Sequence, residues 1–226
     1  MMRICTFLTC LFYSCKSLAL PTGFAYLTDP RFILSMDYHG DQNFIGCQID
    51  GYNKKLCVLS KPAIAALKAV QDELDSCNKG YVLKIFDAYR PQRAVEHFVR
   101  WSADPNDTKM KDMYYPDLSK PDIIRLGYVF PKSSHSRGST VDLTIVEIDP
   151  NNPAEHKELE MGTRFDFFGE ASHTDSQLVS KTAQENRQFF KALMAKYGFE
   201  NYPQEWWHFT LKPEPFPDTY FDFAIN

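Results

Sequence analysis

Two short runs, far apart in this chain, carry residue types whose shared chemistry needs them side by side, so any fold the chain adopts has to close that gap. The upstream run, Ser133-Ser134-His135-Ser136-Arg137-Gly138-Ser139-Thr140-Val141-Asp142, offers an imidazole and a carboxylate separated by a turn-forming Ser/Gly stretch. The downstream run, Glu205-Trp206-Trp207-His208, adds a second imidazole with a glutamate three residues ahead of it. Two nitrogens and one oxygen from His135, His208 and Asp142 form a metal-ligand set that leaves a fourth tetrahedral position open to water. That open position separates a catalytic zinc from a closed structural one. Glu205 is then placed to act as general base toward the water. Nitrogen and oxygen donors at such a site favour zinc, one ion per subunit.

The chain has 226 residues, 44% hydrophobic and 15% aromatic, which is enough apolar material for one sizeable core and points to a single domain. A formal net charge of −4 argues against a strongly basic nucleic-acid binder. No apolar run reaches the length of a membrane span, and no repeat or low-complexity tract is present. Oligomeric state is not set by the sequence.

Residues 1–19 differ from the rest: Arg3 precedes an apolar run from Ile4 to Tyr13, and Ser17 and Ala19 are the small residues before a cut after Ala19. This is the layout of a cleaved secretory signal, which predicts a secreted, periplasmic chain with residues 20–226 as the catalytic domain. Loss of Arg3 and Lys16 takes the net charge from −4 to −6. Of the six cysteines, Cys47, Cys57 and Cys77 would remain. One disulfide with one free thiol is the simplest outcome in an oxidising compartment, and Cys47 and Cys57 flank the turn signal Asp50-Gly51-Tyr52. Three buried, reduced thiols are the alternative.

Along the chain, Ser60-Lys61-Pro62 opens a helix whose Ile64, Leu67, Val70 and Leu74 share one face to about Ser76. Tyr81–Tyr89 alternates as a strand that delivers Asp87 and Arg90 into a loop before Pro91 starts a second helix carrying Val95, Phe98 and Trp101. Residues 103–121 read as a surface excursion of short pieces. Thr140–Val146 reads as a central strand with Asp142 near its start, and Asp149–Asp175 as an insertion or lid. A helix from about Thr182 to Tyr197 is marked by Phe189, Phe190, Leu193 and Met194, with Gly198 as its stop. Trp206–Leu211 reads as a final strand. Residues three apart in a strand face opposite sides, so a bend or bulge is expected between Glu205 and His208. The element order predicts an α+β domain whose small mixed or antiparallel sheet holds the metal on one face.

In these motifs the chain resembles the zinc D-alanyl-D-alanine dipeptidases of the vancomycin-resistance type, on the wider fold of zinc D,D-carboxypeptidases and the hedgehog signalling domain. The resemblance runs through Asn43-Phe44-Ile45-Gly46, Asp50-Gly51-Tyr52, Asp87-Ala88-Tyr89-Arg90-Pro91, Ser133–Asp142, Met161-Gly162-Thr163-Arg164-Phe165-Asp166 and Glu205–His208. It implies zinc on His135, Asp142 and His208, Glu205 as base and then proton donor, and Arg90 polarising the scissile carbonyl. Ala88 stands where the family commonly has Gly or Cys.

The same roles follow from the chemistry. A guanidinium held from behind by Asp87 suits the oxyanion of peptide hydrolysis. A free dipeptide presents two charged ends. Asp166, with Tyr38 beside it, is the candidate for the ammonium, Ser133 for the carboxylate, and Asp87 is grouped with these substrate-binding residues. Trp206 and Trp207 read as packing around the metal. His39, His97, His156 and His173 have no partner at ligand spacing, with His173 the one that could border the pocket. The alternatives are a D,D-carboxypeptidase or endopeptidase acting on peptidoglycan stem peptides, and a non-catalytic zinc-stabilised binding module. Retention of both Glu205 and Arg90 argues against the module.

Overall fold

The computed structural model describes residues 19–226, so the signal-like leader with Cys5, Cys10 and Cys15 lies outside the described residues, apart from Ala19. In chain order the elements are β1 (Phe24–Tyr26), β2 (Ile33–Leu34), β3 (Val58–Ser60), α1 (Lys61–Ser76), β4 (Tyr81–Asp87), α2 (Gln92–Ala103), α3 (Lys111–Tyr114), α4 (Lys120–Arg125), β5 (Thr140–Asp149), β6 (Asn152–Glu158), α5 (Lys181–Lys196), β7 (Phe199–Asn201) and β8 (His208–Leu211). Short 3-10 turns occupy Asp37–His39, Ser134–Arg137 and Glu170–Ser172.

The β-branched run of β5 is its own explanation: Val141, Leu143 and Ile145 alternate with Thr140, Asp142 and Thr144, and all six are buried because both faces of the strand are covered. β5 therefore sits in the middle of the main sheet, whose order is β2-β4-β5-β8-β7, with β6 folded back on the distal half of β5. Only β2 and β4 run parallel, so the sheet is mixed and mostly antiparallel, as expected. β1 and β3 form a separate antiparallel ribbon.

Helix α1 buries Ile64, Leu67, Val70 and Leu74 against the sheet, the face its periodicity marks. Buried Gln71 stitches helix to sheet, donating to the Tyr81 carbonyl and accepting from the Leu83 amide at 2.9 Å. Ser60 stands at the helix start without capping it, because its hydroxyl is taken by Ser139 Oγ at 2.8 Å. α2 buries Val95, Phe98 and Trp101, and its two rings join an aromatic cluster with Tyr38, Phe44 and Phe168. Such ring pairs add about 0.5–1.5 kcal/mol each beyond the area they bury.

Several expectations are corrected. The three thiols are free: Cys57 is buried, Cys47 half-buried and Cys77 exposed, so among the described residues there is neither a disulfide nor a uniformly buried set. The Gly51 turn leads Tyr52 into a bridge with Ile225 rather than closing a hairpin, which leaves Cys47 and Cys57 unjoined. β8 begins at His208 and not at Trp206, because Gln204–Trp207 are used in a turn. Phe189 on α5 faces solvent at 42% exposure, while Ala183, Phe190 and Met194 carry the packing. Of the stretch 149–175, the first part is the β5–β6 hairpin, and only Asp166 and Phe168 reach the cavity described next.

Candidate active site

Directly opposed residues of an antiparallel pair project to the same face. Asp142 of β5 is opposite Asp87 on one side and His208 of β8 on the other, which puts three functional side chains in one row across the sheet. The ladder shifts register between Ile85 and Asp87, an irregularity that sets the row at the end of β4.

His135 comes to this row from the 3-10 turn Ser134–Arg137. The turn ends on Gly138 at φ +81, where a Cβ would stand 2.2 Å from Phe24 Cε1, so only glycine meets both the backbone and the packing. His135 Nδ1 lies 2.7 Å from the Ala88 carbonyl, which can only accept. Nδ1 therefore carries a proton, and Nε2 faces Asp142 Oδ2 at 3.2 Å and His208 Nδ1 at 3.3 Å. His208 Nδ1 in turn lies 3.1 Å from Asp142 Oδ1, and its Nε2 is 3.2 Å from Ser134 Oγ.

Three donor atoms of His135, Asp142 and His208 lie within 4.8 Å of one another. Asp142 Oδ1 is buried, and its one close neighbour, His208 Nδ1, stands at an angle that makes no hydrogen bond, so among the described residues it has no hydrogen-bond partner. Converging lone pairs and an orphaned buried carboxylate oxygen are what a small divalent cation would satisfy, so the residues present fit one. Electrostatics agree: burial opposes ionisation of Asp142, but the neighbouring His135 and His208 hold it well below the usual carboxylate range. Burial likewise opposes a proton on His208, yet Asp142 and Glu205 outweigh it and push the imidazole up to about 9. A cation binding there displaces that proton.

The expected irregularity between Glu205 and His208 is a tight turn in which the His208 amide donates to the Glu205 carbonyl at 3.2 Å. It brings Glu205 Oε2 to 3.2 Å from His208 Nδ1. Asn201 braces the turn by donating to the carbonyls of both Glu205 and His208 at 3.1 Å. Trp206 and Trp207 are buried packing, as their composition implies. The Trp206 indole donates to Thr163 Oγ1 at 2.9 Å, and Trp207 meets Phe165 edge-on.

Arg90 follows the end of β4 with its guanidinium beside the packed rings of Tyr38 and Phe98, 5.1 Å from each centroid. Its Nε donates to Asp87 Oδ2 at 2.9 Å and its Nη2 to Asp142 Oδ2 at 3.3 Å. Asp87 also accepts from Tyr52 at 2.6 Å and is fully buried. Grouped with the substrate contacts on sequence grounds, Asp87 is instead outside the cavity lining, behind Arg90 and His135, because its two oxygens are occupied by Tyr52 and Arg90. Burial pushes its carboxyl up, against the opposing charges of Arg90 and His135.

A cavity of about 390 Å³ opens on this row. Its lining includes the rings of Tyr38, Phe44, Phe98 and Phe168 and the carboxyl of Asp166. Asp166 sits at φ +60 and accepts a 2.8 Å hydrogen bond from the Tyr38 hydroxyl. Burial, reinforced by the charge of Asp142, pushes its carboxyl well above the usual range. Ser133, Lys132, Tyr202 and Lys212 are among its polar lining residues. Ser133 also accepts from the His135 amide at 3.3 Å. Tyr38, Arg90, Ser133, Asp142, Asp166, Glu205 and His208 thus share one cavity, with His135 buried behind it. His173 does not line it. Sequence reasoning missed the bracing of the site by Asn201, Ser134 and Tyr52, none of which carries a spacing signal toward the ligands.

Residues 30–226 match the model of a family described as D-ala-D-ala dipeptidase. The chain is 37% identical over 209 residues, 92% of its length, to the whole of a D-alanyl-D-alanine dipeptidase from Enterococcus faecalis strain V583. It is 41% identical to a D-alanyl-D-alanine dipeptidase from Enterococcus faecium, covering 90% of this chain and 98% of that one. A third, from Streptomyces coelicolor, is 42% identical over 81% of this chain and 87% of its own length.

Proposed function

The chain belongs to the D-ala-D-ala dipeptidase family of metallopeptidases, and from that membership we propose that it hydrolyses free D-alanyl-D-alanine to two D-alanines with one zinc ion held by His135, Asp142 and His208. The observation that carries the reading is the convergence of three lone-pair donors beside Glu205 and Arg90, at one cavity that also holds a buried carboxylate, Asp166.

Zinc at that position supplies Lewis-acid polarisation of the scissile carbonyl and acidifies water at neutral pH. The protein does the rest. Glu205 takes the proton of the attacking water and returns it to the departing amine, a two-way role for one carboxylate beside the ligand row. Arg90, fixed by Asp87 and by the rings of Tyr38 and Phe98, offers a permanent positive charge to the carbonyl oxygen as it gains negative charge. Asp166, oriented by Tyr38, receives the substrate ammonium, and Ser133 in the polar part of the cavity receives the carboxylate. The aromatic wall excludes water and strengthens each of these contacts. The signal-like residues 1–19 support export to the periplasm.

The test is metal removal. Exhaustive chelation should abolish D-alanine release from D-alanyl-D-alanine, and one equivalent of zinc should restore it. Activity that survives in protein shown to be metal-free would refute the reading.

A further inference from the structure

Arg187, in the middle of α5, is 1% exposed, and no carboxylate pairs with it among the described residues. A buried guanidinium without a counter-ion is costly, and burial alone pushes this one down to about 10. All its hydrogen bonds go to backbone carbonyls: Nε to Met161 at 2.7 Å, Nη2 to Ala171 at 2.9 Å and Nη1 to His173 at 2.7 Å. These carbonyls bracket one loop at both its ends, and Asp166 stands on that loop in a left-handed backbone conformation. Inside the loop, Ser172 Oγ donates to the Phe167 carbonyl at 2.6 Å, next to Asp166. Outside it, the Trp206 amide donates to the Ser172 carbonyl at 3.1 Å and the Trp206 indole to Thr163 Oγ1. The loop that carries Asp166 is thereby latched to the turn that carries Glu205. A planar fork reaching three carbonyls is geometry that a lysine ammonium on a flexible stem does not reproduce.

We propose that Arg187 is a positioning residue for substrate recognition: by gripping both ends of the 161–173 loop, with Ser172 as the inner latch, it holds Asp166 at its working distance from Glu205 and the ligand row. The inference rests on the reading of Asp166 as the ammonium partner. Arg187 touches no part of the cavity, so its effect must pass through the loop.

The experiment is a double-mutant cycle on the zinc-loaded protein, measuring KM and kcat for D-alanyl-D-alanine together with zinc content. Arg187→Lys should raise KM about tenfold, with kcat and zinc content within about twofold of the parent. In an Asp166→Asn background the same substitution should add less than about twofold to KM, because the group it positions no longer binds ammonium. If Arg187→Lys does not fold, Ser172→Ala takes its place with the same expected non-additivity. Equal fold-rises in both backgrounds, or a loss of kcat and zinc with KM unchanged, overturn the proposal while leaving the role of Asp166 intact. An unchanged KM in Asp166→Asn alone overturns the ammonium reading, and this proposal with it.

Discussion

Asp87, Asp142 and His208 stand in one row across three paired strands, whereas Asp166 hangs on a loop between β6 and α5. In the row, strand register does the positioning: fixing β4 against β5 and β5 against β8 fixes all three side chains at once, to the same face. On the loop, nothing periodic places Asp166. Its position depends on a tyrosine from the 3-10 turn Asp37–His39, on Arg187 gripping the loop ends, and on contacts to Trp206. In the proposed reading the chemistry is built on the sheet and the substrate ammonium is met from a loop, a division that lets one vary while the other stays fixed.

This division makes the kinetic signatures of the two regions differ. The largest effect is expected at Glu205: Glu205→Gln should lower kcat by about 10²–10⁴-fold while zinc content stays the same. A loss of zinc in parallel would make Glu205 a structural member of the row and blur the contrast. Next comes Arg90→Lys, which keeps a charge but loses the fork that Asp87 holds; kcat should fall about 10²-fold, with KM changing much less. A pure KM effect there would move Arg90 to the recognition side.

The smallest kinetic effect is expected from the loop. Asp166→Asn should raise KM for the free dipeptide about 10–100-fold with kcat nearly unchanged. The same variant has a stability signature of opposite sign. The folded chain raises the pKa of Asp166, so this group favours the folded state below the ordinary carboxylate pKa, and that contribution is lost as pH rises through the folded value. Asparagine does not ionise. Metal-free Asp166→Asn should therefore melt higher than metal-free wild type at alkaline pH, with the gap closing as the pH falls toward 3.8, the carboxylate's ordinary value.

The two regions also differed in how far the sequence disclosed them. His135, Asp142, Glu205 and His208 could be read because ligand chemistry selects a few residue types and the strand run around Asp142 follows a period of two. The turn between Glu205 and His208 followed from the same parity. Asp166 was legible through its motif and the need to meet one charged end of a free dipeptide, whereas nothing in the neighbours of Asp87 announces that Tyr52 and Arg90 occupy both its oxygens and keep it out of the cavity lining. Asn201 and Arg187 act on backbone carbonyls, which every residue possesses, so no pairing of side-chain types points to them. The Cys47–Cys57 pairing failed for a related reason: a turn signal between two cysteines fixes neither the ladder nor the distance across it.

In the proposed function this cavity joins metal-assisted hydrolysis to recognition of a free amino terminus by Asp166. This reading is tested most directly by comparing kcat/KM of the zinc-loaded enzyme for D-alanyl-D-alanine and for an N-acylated tripeptide ending in D-alanyl-D-alanine. The expected result is a preference for the free dipeptide of at least about tenfold, since acylation removes the ammonium that Asp166 pairs with. Equal or faster cleavage of the acylated tripeptide would contradict it and make the chain a D,D-carboxypeptidase acting on stem peptides.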